Sequence, residues 1–412
     1  MSTHQATVLA GSPRRRIAFA TSTRADYGPL RSVIADLAAR GDVDVVVLVT
    51  GTHLDAHHGH TADEISASDR VMLVEVPVSI GADDPLDRAA WLSEWLTGAT
   101  SNLLLHRPDM LVLLGDRFET LIAAQAATLV GIPIAHIHGG EKTTGAIDDG
   151  IRHAITKLSH VHFPATAAYA RRLRQLGEER IFVLGAPGLS SLDREDPLSD
   201  AESVAILGRP LERPYVIVTY HPVTAIPEEQ SLAGARALRT VLTQRADLDV
   251  IVTGVNVDPG FADIAAEFLL LADSAGDRVI VKDSVGQRAY HGLLRGAVAC
   301  LGNSSSGIVE APALGTPTVN IGPRQDGRLR ARSIIDVPED ASAIADALHL
   351  AQDPDVRRAA RTQELPYGGP GASARIADTL ATIELGGVLA KDFVDCAAVD
   401  CPCGDGLHGD GR

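Results

Sequence analysis

Short apolar runs rich in valine, isoleucine and leucine alternate along most of the chain with longer segments whose apolar residues recur at helical spacing. A short apolar run between turn residues is typical of a buried strand, and a 3.6-residue period is typical of an amphipathic helix. The predicted strands are residues 16–21, 43–50, 110–114, 132–137, 160–163, 181–184, 215–220, 249–253, 279–281, 298–301 and 317–321. The predicted helices include residues 29–39, 119–129, 231–245 and 304–314. This alternation predicts parallel sheets with helices on both faces.

The alternation pauses at residues 189–214, where aspartate, glutamate, arginine and proline accumulate. The pause separates two similar halves, and a chain of 412 residues is too long for one compact core. We therefore predict an α/β fold of two Rossmann-like doubly wound domains with the active site in the cleft between them. The predicted segments are a flexible N-terminus (1–15), an N-terminal domain (16–189), a linker region (190–214), a C-terminal domain (215–370), a C-terminal helix (371–390) and a disordered tail (391–412).

Composition and charge narrow the classes of function. The apolar fraction of 45% is typical of a globular protein. A formal net charge of −16 argues against nucleic acid as the main partner, because such binding rests on a basic surface. No apolar run approaches the roughly 20 residues of a membrane span, and residues 1–15 lack the apolar centre of a secretion signal. We therefore expect a cytoplasmic protein with no membrane partner.

The four cysteines indicate neither a disulfide framework nor a metal site. Cys300 lies in an apolar strand and is expected to pack as a small hydrophobic residue. The other three, Cys396, Cys401 and Cys403, crowd into the glycine-rich tail at spacings that differ from those of a zinc ribbon or finger.

Almost every predicted strand is followed by polar or ionisable residues. Ligands of doubly wound sheets bind beyond the carboxyl ends of the strands, so these residues are candidates for one shared site. The candidates are Arg24, Asp26, His53, Asp116, Arg117, His138 and Glu141 in the first half, and His221, Asn256, Asn303, Ser304, Ser305 and Arg324 in the second.

The segment LGNSSSGIVEAPALG predicts a cradle for an anion. It leads from a strand through Asn303 and three serines into a helix predicted to start near Gly307, and a helix start offers free N–H groups to phosphate. The alternative is an ordinary helix cap, for which asparagine and serine are the usual residues. Glu310, expected in the first turn of that helix, can accept hydroxyl groups of a sugar. The chain has no P-loop motif, and no G-x-G-x-x-G follows a strand, which argues against a P-loop nucleotidase and a nicotinamide dehydrogenase.

Two further positions have both a functional and a structural interpretation. Arg24 stands in the first strand–helix turn, where its planar guanidinium matches phosphate oxygens; alternatively it pairs with Asp26 on the surface. Asp116 directly follows the buried run MLVLLG, where burial raises a carboxyl pKa and Arg117 lowers it. Alternatively Asp116 is the N-cap of the next helix.

The stretch HIHGGEKTTGAIDDGIRHAITKLSH combines a strand end, a loop and a helix. Its two glycines allow the backbone to bend tightly and approach a ligand. Asp148 or Asp149 is expected to cap the helix, but packing does not account for His138 and Glu141, which lie in the loop. Its histidines lack the spacing of an H-E-x-x-H zinc motif, so we expect no metal.

Taken together, these motifs resemble the hydrolysing UDP-N-acetylglucosamine 2-epimerase family. The resemblance rests on TRADYGPL, VTGTHL, LGDRFET, the 25-residue stretch above, HPVT and LGNSSSGIVEAPALGTPTVNIGPRQ, which follow in order from residue 16 to 336. It implies a GT-B-like pair of domains around a UDP-sugar substrate, no cofactor, and a homo-oligomer, either dimer or tetramer. It also implies elimination of UDP to a 2-acetamidoglucal, followed by hydration to N-acetylmannosamine.

The resemblance implies roles for individual residues. Asp116 and Asp148 match catalytic carboxylates, and Arg324 matches a residue of the site. The residues that match UDP-holding positions are Arg24, His221, Ser304, Ser305 and Glu310. Some members read HIEGGE with a catalytic first glutamate, whereas this chain has His138 there, and Glu141 is a possible substitute.

The departure at His138 leaves the sugar open. The main expectation is UDP-GlcNAc, and the alternative is UDP-2,4-diacetamido-2,4,6-trideoxyglucose. A non-hydrolysing UDP-GlcNAc 2-epimerase and a GT-B glycosyltransferase are the rival reactions, since one fold hosts several functions.

Overall fold

A computed structural model describes residues 14–55, 61–65, 70–80, 84–142, 148–192, 194, 198–223, 231–254, 260–392 and 394. The first half forms a six-stranded parallel sheet of order β3-β2-β1-β4-β5-β6. Its strands are β1 (Arg15–Thr21), β2 (Val43–Val49), β3 (Val71–Glu75), β4 (Met110–Leu114), β5 (Ile134–Ile137) and β6 (Val161–Phe163). The central strands are almost uninterrupted apolar runs because helices cover both faces of the sheet.

The second half repeats the same topology. Its six-stranded parallel sheet has the order β12-β11-β10-β7-β8-β9. The strands are β7 (Tyr215–Thr219), β8 (Asp249–Thr253), β9 (Val279–Lys282), β10 (Ala299–Gly302), β11 (Thr318–Ile321) and β12 (Ile334–Val337). Numbered from its own first strand, each sheet reads 3-2-1-4-5-6, which is the doubly wound Rossmann order. The predicted fold class is therefore confirmed.

Helices fill the connections between strands. In the first half they are α1 (Arg24–Ala38), α2 (Pro85–His106), α3 (Phe118–Val130), α4 (Asp148–Leu158) and α5 (Ala167–Gln175). Those that follow are α6 (Asp200–Leu207), α7 (Ala233–Gln244), α8 (Phe261–Ala275), α9 (Gln287–Gly296), α10 (Ser306–Ala313), α11 (Ala341–Gln352), α12 (Pro354–Ala360) and α13 (Ala372–Thr382). No helix within the described ranges is long and apolar enough to cross a membrane.

The order of the strands fixes where a ligand can bind. In each sheet the chain reverses its direction of winding between the first and fourth strands, β1 and β4 in one and β7 and β10 in the other. Connections leave these neighbouring strands toward opposite faces, which opens a crevice at their carboxyl ends. At Gly302, the end of β10, a Cβ would lie 2.0 Å from the carbonyl oxygen of Thr219 at the end of β7. The two switch-point strands therefore approach so closely there that only glycine fits.

The last helix returns to the first lobe. Ile376 and Leu380 of α13 are buried in the core cluster that also contains α1 and β1. Beyond it, Lys391 Nζ donates to the carbonyl oxygens of Lys157, at 2.9 Å, and Ser159, at 2.7 Å. The chain thus crosses from lobe to lobe a second time and meets the C-terminal end of α4.

Two strands went unpredicted, and one predicted strand is only a bridge. β3 and β12 are the outer strands of their sheets, so they are partly exposed and lack a long apolar run. Residues 181–184 form no strand beyond the single bridge between Ile181 and His162. The predicted linker region contains α6, which begins with a capping box at Ser199 and Glu202.

Asp249, at the start of β8, ties the linker to the second sheet. Its buried carboxylate accepts hydrogen bonds from Arg209 Nη2 at 3.1 Å and from the backbone N–H of Glu212 at 2.9 Å. Burial raises the pKa of Asp249, but Arg209 and the amide donors outweigh burial and hold the pKa below its usual value.

We predict that Asp249→Ala lowers the free energy of unfolding by about 3 kcal/mol, because it leaves buried donors unpaired. The loss is expected above pH ~4, where the unfolded aspartate is ionised, and should fade as pH falls through the lower folded pKa. Urea unfolding measures it. Asp247→Ala, which removes an exposed carboxylate beside Arg245, is the control and should change stability by less than ~0.5 kcal/mol. Equal stability of the two variants would show that the Asp249 carboxylate does not hold the linker on the second sheet.

Candidate functional site

The turn after β1 is held by a buried aspartate. Asp26 accepts hydrogen bonds from Thr21 Oγ1 at 2.5 Å and from the backbone N–H groups of Ser22 at 3.0 Å and Thr23 at 3.1 Å. Because Thr21 donates to Asp26, His53 Nε2 must donate to Thr21, which it contacts at 3.0 Å. Asp26 and His53 therefore lie beneath the loop and shape it.

Arg24 stands on the other side of this loop. It is the first residue of α1 and its side chain is exposed. The carboxylate of Asp26 is directed into the turn, where it completes a capping box with Thr23. The Asp26 carboxylate is thus buried, and the alternative Arg24–Asp26 pair stays a prediction.

Asp116 lies at the carboxyl end of β4, beside the first switch point. Its Oδ2 accepts a hydrogen bond from Nη2 of Arg152, which lies in α4. The N-cap of α3 is Arg117, not Asp116, so the capping interpretation of Asp116 was wrong. Because Arg117, the next residue, is the N-cap, the Asp116 carboxylate is not used for capping and faces α4 instead. The Nε atom of Arg117 lies 3.6 Å from Glu119 Oε2.

Arg152 connects three parts of this wall. Besides Asp116, it donates from Nη1 to Asp149 Oδ1 at 3.0 Å and to the carbonyl oxygen of Glu141 at 2.9 Å. Burial lowers the pKa of Arg152 to about 9, which leaves the side chain positively charged at neutral pH. In sequence Arg152 lies four residues after Asp148, at helical pairing distance. Asp148 is the half-buried first residue of α4.

The loop after β5 presents an imidazole–carboxylate pair. His138 has a φ of 65°, and its Nδ1 lies 2.5 Å from Glu141 Oε1. The other oxygen, Oε2, lies 3.5 Å from Arg328 Nη2, which belongs to the second lobe. Burial raises the pKa of Glu141, but His138 and Arg328 outweigh it, so the net pKa lies below the ordinary value.

Two features of the same loop hold this pair in place. Gly140 has a φ of 77°, and a Cβ there would lie 2.5 Å from the carbonyl oxygen of Tyr169. This confirms the tight bend predicted from the glycine pair. Behind the loop, His136 Nε2 lies 2.8 Å from the Gly115 carbonyl oxygen, and burial lowers the pKa of His136 to about 3. His136 is therefore neutral and has a structural role in the core.

The second lobe contributes the predicted anion cradle. Asn303 is buried and fixed by its side-chain amide, which accepts from the His221 N–H at 2.7 Å and donates to the His221 carbonyl at 2.8 Å. Burial lowers the pKa of His221 to about 3, so its ring is neutral. Arg324 Nη1 donates to the Asn303 carbonyl oxygen at 3.1 Å. These three residues hold the turn into α10.

The serines of this turn differ in their exposure and contacts. Ser305 is the N-cap of α10 but makes no side-chain capping hydrogen bond, and it is exposed. Ser306 Oγ donates to Tyr290 Oη at 3.0 Å, a contact that the sequence did not indicate. Glu310, predicted in the first turn of the helix, is instead its fifth residue and half-buried. Asn256, also predicted to bind substrate, lies outside the described residues.

The two walls meet through one loop of the second lobe. Residues 322–330 carry Arg324, on the Asn303 carbonyl, and Arg328, on Glu141. Next to them the Leu329 N–H donates to Tyr169 Oη of the first lobe at 3.3 Å. This loop thus joins the turn of Asn303 and the serines to the acid cluster of Asp116, Glu141 and Asp149. Among the described residues, no three His, Cys, Asp or Glu side chains are placed to hold a metal ion.

A sequence model described as UDP-N-acetylglucosamine 2-epimerase matches residues 35–381. The chain belongs to this epimerase family. The predicted resemblance is therefore confirmed at the level of the family. The match spans both lobes and includes every site residue above except Arg24 and Asp26, which precede it.

Named relatives cover nearly the whole chain. The hydrolysing UDP-N,N'-diacetylbacillosamine 2-epimerase of Legionella pneumophila is 34% identical over 376 residues, covering 90% of this chain and 97% of that protein. The hydrolysing GDP/UDP-N,N'-diacetylbacillosamine 2-epimerase of Campylobacter jejuni is 31% identical over 385 residues, covering 93% and 99%. A UDP-N-acetylglucosamine 2-epimerase of Neisseria meningitidis is 32% identical over 339 residues, covering 82% and 87%.

Solved structures of the epimerase family share the fold. A UDP complex of Staphylococcus aureus MnaA superposes with a TM-score of 0.72 at 17% identity, covering 89% of this chain and 96% of that one. The Neisseria meningitidis UDP-GlcNAc 2-epimerase bound to UDP-GlcNAc gives 0.71 at 18% identity, covering 89% and 99%. These likenesses confirm the GT-B-like pair of Rossmann-like domains.

We predict that Arg152→Lys lowers the free energy of unfolding by about 3 kcal/mol. A single ammonium group cannot reach Asp116, Asp149 and the Glu141 carbonyl together, so buried acceptors lose their donor. Denaturant unfolding is the measurement. Arg171→Lys, at an exposed position of α5, is the matched control and is expected to be neutral within ~0.5 kcal/mol. A neutral Arg152→Lys variant would show that the guanidinium does not organise this wall.

Proposed function

We propose that this protein is a hydrolysing 2-epimerase that converts a UDP-2-acetamido sugar and water to UDP and the free 2-epimeric sugar. The observation that carries the proposal is the pairing of Glu141 with His138 and Arg328, beside Asp116, in the cleft that also contains the serine cradle. An acid cluster opposite an anion cradle suits a reaction that moves a proton at one carbon while a diphosphate leaves the next.

The proposed reaction has two steps, elimination of UDP and addition of water. In the first, a base removes the proton at C2 as the bond between C1 and the UDP oxygen breaks, and UDP leaves with the electron pair. The intermediate is a 2-acetamidoglucal with a double bond between C1 and C2. In the second step the oxygen of water joins C1 and a proton returns to C2 on the opposite face, which inverts that centre.

The proton carriers are assigned from burial and contact. His138 is 18% exposed and Glu141 only 5%, so the imidazole is the member of the pair that reaches substrate. Glu141 orients the ring through the contact at Nδ1, as carboxylates beside catalytic histidines do. Asp116 and Asp148 are the carboxylates proposed for the other proton transfers. All four residues stay as predicted, with Glu141 acting through His138.

The diphosphate is assigned to the second lobe. Ser304, Ser305 and the start of α10 offer hydroxyl and N–H groups, and Arg24 adds a cation from the facing turn. His221, Asn303 and Arg324 support that cradle from below. Stabilising the developing charge on the leaving UDP lowers the barrier to elimination. Glu310 is proposed to accept ribose hydroxyls.

UDP-N,N'-diacetylbacillosamine, the 2,4-diacetamido-2,4,6-trideoxyglucose nucleotide, is the proposed substrate. Two relatives named for this sugar match the chain over at least 90% of its length. UDP-GlcNAc, the main expectation from sequence, is the second candidate, supported by the Neisseria meningitidis relative. The relatives therefore favour the alternative sugar over the main one.

Proton NMR in deuterated water tests the reaction and the sugar together. Incubation with UDP-N,N'-diacetylbacillosamine should release UDP and a free sugar carrying deuterium at C2, at least about 10-fold faster than with UDP-GlcNAc. Faster turnover of UDP-GlcNAc would make that sugar the substrate. A product that keeps its UDP would indicate the non-hydrolysing reaction. No turnover without an added acceptor would favour a glycosyltransferase.

We predict that Asp116→Asn lowers turnover by about 10²-fold or more while UDP affinity stays nearly unchanged, because the amide cannot exchange a proton. Steady-state kinetics and calorimetric UDP titration measure the two effects. The control is Asp109→Asn at the other end of β4, where the side chain accepts from the Arg16 N–H at 2.7 Å and an amide oxygen can still do so. A near-normal rate for Asp116→Asn would remove it from the mechanism.

We predict that Arg24→Ala weakens UDP binding by about 10-fold, the loss of roughly one charge-assisted hydrogen bond. Isothermal titration with UDP measures the affinity. Arg31→Ala, an exposed position of the same helix, serves as control and should bind UDP normally. If both variants bind as tightly as the wild type, Arg24 does not contact the diphosphate.

A further inference from the structure

Arg328 belongs to the second lobe, but its guanidinium contacts a carboxylate of the first lobe. It belongs to the loop after β11, yet its Nη2 lies 3.5 Å from Glu141 Oε2. The Arg328 side chain is only 15% exposed, and no hydrogen-bond partner is found for its buried Nε within the described residues. Burying a guanidinium is unfavourable unless it is paired. Among the described residues its ion-pair partner is Glu141, and Glu310 is a further carboxylate that favours its charge.

The loop that carries Arg328 is braced on both sides. Arg324 and Gln325 donate to the Asn303 carbonyl oxygen, at 3.1 and 2.8 Å, which joins the loop to the anion cradle. Arg330 Nη1 donates to the Arg328 carbonyl oxygen at 3.0 Å. Gly327 has a φ of 88°, and a Cβ there would lie 3.1 Å from Lys142, the residue after Glu141. The loop is therefore seated against both walls of the cleft.

Several charged or titratable groups of the described residues lie around Glu141. His138 contacts Oε1, and His136 lies behind it in β5. Arg152 donates to the Glu141 backbone rather than to its carboxylate. Two further phenols, Tyr169 of α5 and Tyr367, share a hydrogen bond of 2.8 Å next to Arg328. Arg328 is thus the one group among these that supplies a permanent positive charge to the Glu141 carboxylate.

We propose that Arg328 is a positioning residue that reaches across the cleft to fix the Glu141 carboxylate, so that the His138–Glu141 pair is competent only when the cradle-bearing loop is docked. With one carboxylate oxygen on Arg328 and the other on His138, the orientation of the imidazole follows from the position of the second lobe. The inference rests on the proposed function, because it assigns Arg328 a part in that proton transfer.

Removing the charge has a predictable direction. Without Arg328, the acidic pair keeps its proton to a higher pH, because a cation within about 4–6 Å favours the ionised carboxylate by roughly one pKa unit or more. The acid limb of kcat/KM, which reports the pair rather than either residue, should therefore move up by about one pH unit in Arg328→Gln. At neutral pH, kcat should fall by about 10-fold or more, with UDP affinity nearly unchanged.

The experiment compares four proteins. The wild type, Arg328→Gln, Arg328→Lys and the control Arg332→Gln are assayed for kcat/KM against pH and titrated with UDP. Arg328→Lys, which keeps the charge and preserves the fold if the glutamine variant unfolds, should retain the acid limb. Arg332→Gln, at an exposed position just after the loop, should leave the limb in place. A limb that stays fixed in Arg328→Gln, or shifts equally in Arg328→Lys, overturns the proposal.

A second readout does not depend on turnover. Carbon-13 NMR of the glutamate side-chain carboxyls, with Glu141 assigned by its loss in Glu141→Gln, follows ionisation directly. The Glu141 signal should titrate at higher pH in Arg328→Gln than in the wild type, and unchanged titration overturns the proposal. If the wild type turns over neither sugar, the proposed function fails, while this titration still decides the role of Arg328.

Discussion

A buried positive charge must be paired, and in this protein that requirement organises the acid wall of the cleft. The Arg152 guanidinium is buried and contacts a carboxylate after β4, a carboxylate in α4 and a carbonyl oxygen in the loop after β5. Separating any of these would leave an unpaired buried group, at a cost of about 3 kcal/mol or more. Three segments far apart in sequence are thereby held at one place, and the groups proposed to move protons are attached to them.

The doubled Rossmann order supplies the frame for this arrangement. Each sheet opens its crevice beyond the switch-point strands, so the carboxyl ends of β4 and β5 present acids while the end of β10 presents serines. In the proposed function the two crevices have different roles: one wall carries the proposed proton carriers, and the other carries the proposed donors for an anion. The loop at residues 322–330 contacts both walls, through Arg324 on the Asn303 carbonyl and Arg328 on Glu141.

Much of this could be read from the sequence, for a physical reason. Central parallel strands are buried on both faces, so they appear as unbroken apolar runs, and residues after them are forced to the ligand edge. Outer strands such as β3 and β12 lack that signature and were missed. Asp116 was found for its place after β4, but its partner was not, because Arg152 reaches it only through tertiary packing.

The sequence did not predict which side chains make contacts between the two lobes. Nothing in the pattern GRLRARS distinguishes Arg328, which meets Glu141, from Arg330, which pairs with Asp336 in its own lobe. The sequence also left the sugar open, since the residues that the motifs identify are proposed to hold UDP and to move protons, and those demands are common to all the candidate sugars. Composition and pattern thus specify the frame and the chemistry, while specificity depends on side chains that only the folded chain brings together.

The central claim is that one UDP-sugar spans both walls. The most direct test is a crystal structure of the Asp116→Asn variant with UDP-N,N'-diacetylbacillosamine. The account predicts the diphosphate on Ser304 and Ser305, with the C2 carbon of the sugar within about 3–3.5 Å of the His138 imidazole or the side chain at position 116. A sugar bound outside the cleft, or with C2 turned away from both side chains, would contradict the account.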